Sequence, residues 1–197
     1  MSKIIKQINF FLESFKKSID ALEISKLENL ADELIKLRVN NGRLFFLGVG
    51  GSAGNCSHAV NDFRKLCKIN ALTPTDNISE ITARINDDGW ENSYRDWLTD
   101  SKLCEKDALF IFSVGGGDID KNVSVNLIKS IELAKKKNSK IFSIVGRENS
   151  YTFLNSDIAL HISSPKNLIT PISETMQTLL WHILVSLEEL IKTKTKW

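Results

Sequence analysis

The spacing of apolar and polar positions changes several times along the chain, and each change marks an element. Up to about Arg38 the spacing is helical. Phe10, Phe11 and Phe15 recur on a first stretch and Leu27, Leu30, Leu34 and Leu37 on a second, which predicts two amphipathic helices. Asn40-Asn41-Gly42 then reads as a turn. Short apolar runs follow at 43–47, 108–112, 140–145 and 158–162, each suited to a strand buried on both faces. The first three end at Gly48, Ser113 and Gly146. Helical patterns return after Gly50-Gly51-Ser52 to about Leu66, and after Gly115-Gly116-Gly117 to about Lys137. A last one runs from about Ile172 to Ile191, beyond a loop with Pro165 and Pro171.

Strands alternating with helices predict parallel pairing through crossover helices. The fold class is therefore α/β, a three-layer sandwich with a central parallel sheet and N-terminal helices. Ligands of such sheets bind at the carboxyl ends of the strands. No composition break or repeat divides the chain, so one domain is expected over 1–197. Residues 1–39 form a helical extension expected to pack on the parent domain or, in an oligomer, on another subunit.

Composition narrows the function classes. The 197 residues are 42% hydrophobic and 25% charged, ordinary values for a folded domain. Lys and Arg number 26 against 24 Asp and Glu, a net charge of +2, too balanced to hold nucleic acid by bulk electrostatics. No apolar run has the length of a membrane span, and the first residues carry charges at helical intervals rather than a signal core. The three cysteines, Cys56, Cys67 and Cys104, fit neither a disulfide framework nor a zinc motif. A cytoplasmic protein with no nucleic-acid or membrane partner is expected.

The first candidate for chemistry is the turn from Gly48 to Asn55, between a strand and a helix. Glycines there let backbone approach a ligand, and the helix start offers free N–H groups. A tight turn without a ligand would look the same. The turn is neither a Walker A loop nor the spaced glycine fingerprint of a dinucleotide site.

The longer stretch is more specific. Gly48-Val49-Gly50-Gly51-Ser52-Ala53, followed by His58 and Asp62, resembles the sugar isomerase (SIS) domain family, and within it the phosphoheptose isomerases. That family reads Gly-Asn-Gly-Gly-Ser-Ala, with a His and then a Glu at the two later spacings. Thr82-Ala83 with Asn86-Asp87 and Gly89, the Ser113 loop, and Thr170-Pro171 followed by His182 extend the resemblance over about residues 40–190. It implies a flavodoxin-like sheet and a homotetramer with active sites between subunits. It also implies isomerisation of a seven-carbon ketose phosphate, sedoheptulose 7-phosphate, for heptose and surface polysaccharide synthesis, with a zinc ion (Zn2+) at the site.

Such a reaction moves a proton between adjacent carbons through an enediol, which needs a base and a group to stabilise the oxyanion. The resemblance assigns the base to Asp62, one methylene shorter than the family's Glu, and its partner to His182. Glu174, where the family has Gln, joins them in catalysis and substrate contact. His58 and Asp62 are four apart and share a helix face; with Glu174 and His182 they make a set of metal ligands or acid/base groups. The alternatives are a surface contact for His58 and Asp62 and a packed core position for His182. Eight residues from Glu174 to His182 are about 12 Å of helix rise and about 80° of rotation. Either that helix starts late, or the two face different parts of a long ligand or different subunits.

Substrate contacts are expected from Val49, Gly50, Gly51 and Ser52. Asn86 and Asp87 match the family and are expected to meet sugar hydroxyls, unless they serve the turn before Gly89. The family's phosphate loop is the hydroxyl-rich Ser-Thr-Ser-Gly-Asn-Ser. Here it is about six residues longer and keeps Ser113, while Gly115, Gly116 and Gly117 offer N–H groups as an anion nest. Lys121, Asn122 and Ser124 supply charge and hydrogen bonds, and Asp118 and Asp120 oppose them. The loop either binds phosphate through changed donors, or its acids take sugar hydroxyls while phosphate lies elsewhere. Arg64, Lys65 and Arg84 are further candidates to neutralise an anion. The contrasting reading of the whole chain is a non-catalytic SIS module that binds a sugar phosphate or a partner protein as sensor or adaptor. The acid at 62 with His58 and His182 favours the enzyme, and the altered loop favours the module.

Overall fold

Ser2 starts the first helix by accepting a hydrogen bond from the backbone N–H of Ile5, the cap that a Ser at this position provides. The structure, a computed structural model, describes residues 1–193; the last four positions of the expected 1–197 domain lie outside the described residues. In chain order the elements are α1 (Lys3–Asp20), α2 (Ile24–Val39), β1 (Arg43–Leu47), α3 (Gly51–Lys65), β2 (Asn70–Leu72), α4 (Ile78–Asp88) and α5 (Trp90–Asp100). There follow β3 (Ala108–Ser113), α6 (Val125–Lys136), β4 (Lys140–Val145), α7 (Tyr151–Leu154), β5 (Ile158–His161) and α8 (Ile169–Ser186). The five strands pair in parallel in the order β2-β1-β3-β4-β5.

Side chains alternate across each strand, so one apolar run feeds two cores. Leu44 and Phe46 of β1 and Phe110 and Phe112 of β3 pack with Leu30 and Leu34 of α2, Phe63 of α3, and Leu180 and Trp181 of α8. Phe45 and Leu47 of β1, with Leu109 and Ile111 of β3, face Ile81 of α4, Trp97 of α5, and Leu127 and Ile131 of α6. These two cores make the three layers that the alternating pattern predicts.

The structure departs from the sequence reading at several edges. β2 is only three residues long, too short to carry a periodic signal. Helices α4 and α5 meet at Gly89, whose φ of +81° allows the abrupt change of direction. Helix α6 begins at Val125, well after the glycines, because Asp118 and Val123 pair across a bridged turn first. Helix α8 starts earlier than expected, at Ile169. Pro171 lies in its first turn, where a missing N–H removes no helical bond. Phe11 and Phe15 of α1 pack on the core, but Phe10 is half exposed.

Candidate active site

Helix α3 leaves the carboxyl end of β1 and packs along α8, so residues of one face of α3 meet residues of α8. His58 and Asp62 are one turn apart on α3. His58 Nε2 lies 3.9 Å from Asp62 Oδ2, and the two side chains are 59% and 17% exposed. His182 comes from α8 to meet them, its ring 5.6 Å from that of His58 and perpendicular to it. One ligand atom from each of His58, Asp62 and His182 lies within 4.8 Å of the other two. Three of the four residues in the expected set come together here, from helices separated by over a hundred residues of chain.

The floor under this cluster is Trp181. Its indole is fully buried, stands edge-on to His58 at 4.7 Å, and stacks on His182 at 3.5 Å. Successive helix residues point about 100° apart, so Trp181 takes the core and His182 the surface. His182 is exposed, which removes the packed-core alternative. Its Nδ1 lies 2.8 Å from the carbonyl oxygen of Thr178, one turn earlier. A carbonyl only accepts, so Nδ1 carries the proton and Nε2 is left to act as base or ligand. Asp62 is likewise oriented: Asn61 Nδ2 donates to its Oδ1 at 2.8 Å, which leaves Oδ2 toward His58.

Glu174 stands apart from this cluster. Helix α8 is continuous from Ile169, so the late-start explanation fails and Glu174 lies two turns from His182. Its carboxylate lies over Gly51, in the first turn of α3: a Cβ built on Gly51 would meet Oε1 at 2.5 Å and Oε2 at 2.6 Å. Within one protomer the expected four-residue set is thus three residues plus a carboxylate at the glycine turn. Around that turn Val49 packs on the core side of α4 and α5, Gly50 adopts a φ of +63°, and Ser52 is buried.

The loop after β3 is closed on itself. Ser113 Oγ accepts from Gly116 N, which takes one of the N–H groups expected for an anion nest. Gly116 and Gly117 are at positive φ, and a Cβ on either would strike Ser150 or Ile128. These two glycines answer to packing, whereas Gly115 faces open space. Lys121 Nζ donates to Asp118 Oδ2 at 2.6 Å, and its backbone N–H to Oδ1. The Lys121 ammonium holds the Asp118 carboxyl below the usual carboxylate range. Ser124 caps α6 in a left-handed conformation with no side-chain cap bond. Arg84, another of the expected anion partners, is bound to Glu80 and Asp100. Asn86 donates to Asp87, both exposed on the last turn of α4.

Two features escaped the sequence reading. Thr178 orients His182 through its carbonyl, and Asn55 ties α3 to α8 by bonds to Glu174, Gln177 and Thr178. The spacings Asn55–His58–Asp62 and Glu174–Thr178–His182 place each trio on one helix face, a signal visible only once the two helices are known to face each other. The cysteines lie outside the chemistry: burial pushes the Cys56 thiol well up and that of Cys67 to about 11.

No protein-family profile matches the chain. A phosphoheptose isomerase of Helicobacter pylori is 29% identical over 177 residues, covering 87% of this chain and 86% of that protein. Among solved structures, phosphoheptose isomerase GmhA from Neisseria gonorrhoeae superposes with a TM-score of 0.79 at 19% identity, covering 93% of this chain and 96% of the other. A phosphoheptose isomerase from Francisella tularensis gives 0.78 at 20% identity, with 94% and 97% covered. The chain is thus similar in sequence to phosphoheptose isomerases and shares the fold of these solved structures, a central parallel sheet flanked by helices.

Proposed function

We propose that the protein is a ketose–aldose isomerase of sugar phosphates, with sedoheptulose 7-phosphate as substrate and the aldoheptose phosphate as product. In this reading it works in the cytoplasm and supplies heptose for surface polysaccharide. The observation that carries the proposal is the convergence of His58, Asp62 and His182 at the seam of α3 and α8. The carbonyl of a ketose acidifies the hydrogen on the neighbouring carbon. Asp62 takes that proton to leave an enediol, and returns it to the former carbonyl carbon. His182, protonated at Nδ1 and free at Nε2, passes the second proton between the two oxygens. No electrons enter or leave; two protons change places.

Two imidazoles and a carboxylate oxygen suit zinc, whose bonds of about 2.0–2.2 Å such donors reach from positions this close. His58, Asp62 and His182 would hold the ion, with Glu174 joining only if it leaves Gly51. When bound, zinc would act as a Lewis acid on the carbonyl oxygen, in place of the proton that His182 carries when its Nε2 is not a ligand. The exposure of His58 supports a further part of the reading, a homotetramer in which a neighbouring subunit covers this seam and excludes water.

One observation favours the second reading, a binding module that senses or adapts. Lys121 is already neutralised by Asp118, so the phosphate loop presents little net positive charge. Deuterium uptake separates the two. The purified protein, incubated with ketose phosphates of several lengths in deuterated water, is expected to label the carbon beside the carbonyl of seven-carbon ketoses. Asp62→Asn and His182→Ala should each slow uptake by about a hundredfold or more, and a chelator should suppress it. Silence across the panel would assign the chain to the binding class. Normal turnover in both variants would overturn the residue roles.

A further inference from the structure

His58 and Asp62 meet His182 only while α3 and α8 keep their register. One side chain of α3 engages three residues of α8. Asn55, half-buried on α3 and one turn before His58, accepts from Thr178 Oγ1 on Oδ1 at 2.9 Å. Its Nδ2 donates to the backbone oxygen of Glu174 at 2.9 Å and to Gln177 Oε1 at 3.1 Å. Thr178 is the residue whose carbonyl holds His182 Nδ1. One carboxamide thus fixes both the turn of α8 that carries Glu174 and the turn that orients the imidazole.

We propose that Asn55 is the positioning residue of this site: its Oδ1 branch, through Thr178, sets His182 against His58 and Asp62, and its Nδ2 branch holds Glu174 over Gly51. The consequence for turnover rests on the isomerase reading; the geometric claim does not. A misplaced catalytic group costs rate even when substrate still binds, so the signature is a fall in kcat with little change in KM.

The chain has three histidines, His58, His161 and His182. His161 lies at the end of β5, where its Nδ1 meets Glu148 at 3.2 Å, and serves as an internal reference for folding. Imidazole nitrogen NMR on the full-length protein, without substrate, reads all three. The wild type should show His182 protonated at Nδ1. Asn55→Ala should shift His182 toward a tautomer mixture while His161 stays in place. Thr178→Val, which removes only the hydroxyl, should shift it in the same sense. Asn55→Asp keeps the acceptor for Thr178, and Gln177 can turn its Nε2, which has no partner among the described residues, toward the new carboxylate. That variant should leave His182 near its wild-type signal. In the active enzyme kcat should fall between about tenfold and a hundredfold for Asn55→Ala, with KM little changed. An unmoved His182 in Thr178→Val, or in a folded Asn55→Ala, overturns the proposal whether or not the protein proves to be an isomerase. A protein with no isomerase activity whose His182 nevertheless shifts as described fails the functional reading alone.

Discussion

At the scale of single residues, the glycine turn shows how a motif can be shared between packing and chemistry. A Cβ on Gly48 would lie 2.7 Å from the carbonyl carbon and oxygen of Ser52, rigid backbone at the start of α3. The atoms nearest a Cβ on Gly51 would be those of the Glu174 carboxylate, the end of a flexible side chain. Gly48→Ala should therefore cost about 2–3 kcal/mol in denaturant unfolding, a typical overpacking penalty. Gly51→Ala should leave the unfolding midpoint nearly unchanged while displacing Glu174. Equal losses in the two variants would contradict this account. Of the expected site residues, His58, Asp62 and His182 were legible as candidates because their types and spacings suit chemistry. Lys121 and Arg84 were not, because a charge in a sequence shows no partner: Asp118 takes the first and Glu80 with Asp100 the second.

At the scale of elements, an ion pair ties the entrance of β1 to that of β3. Asp107 is almost fully buried just before β3; it accepts from Arg43 Nε at 3.0 Å and from a terminal guanidinium nitrogen at 2.6 Å. The backbone N–H groups of Arg43 and Cys104 donate to it as well. Burial pushes its carboxyl up, but these hydrogen bonds outweigh burial and hold it below the usual carboxylate range. A carboxyl whose pKa is lower folded than unfolded adds stability that is complete above the unfolded value and is lost as pH falls through the folded one. Urea unfolding should thus show the wild type losing stability below about pH 4, with a flatter profile there in Asp107→Asn. Asp107→Ala at neutral pH should cost about 2 kcal/mol, a moderate figure because Arg43 keeps contact with water. The boundaries of β1 and β4 follow the apolar runs residue for residue. Those of α6 and α8 do not, because a bridged turn and a helix-compatible proline are decided by tertiary geometry.

At the scale of the whole molecule, α1 is the element least explained by one copy of the chain. Phe11 and Phe15 hold it to the core, and Ser18 Oγ donates to the carbonyl of Ser163. On another side Met1, Ile5, Ile8 and Leu12 repeat at alternating spacings of four and three, and Ile5, Ile8 and Leu12 are 47%, 51% and 57% exposed. Packing of this seam on a second protomer is the expected role of the N-terminal extension. Sedimentation should give the wild type a mass several times 22.2 kDa, and Ile8→Glu with Leu12→Glu should release a folded monomer. A wild-type protein that sediments as one chain would end the intersubunit reading of the site.

By itself the sequence determined the alternation of strands and helices, the two-sided burial of the sheet and the identity of the candidate side chains, because period and residue type are local properties. The tertiary structure alone decided which of those side chains meet. His182 joins His58 and Asp62 only because α8 lies along α3, with Trp181 turned into the core beneath them. Glu174, two turns away on the same helix, is carried instead to the glycine turn. Distance along a chain limits reach within one helix, but the register between two packed helices is set by their interlocking side chains and by the polar bonds that Asn55 makes across the seam.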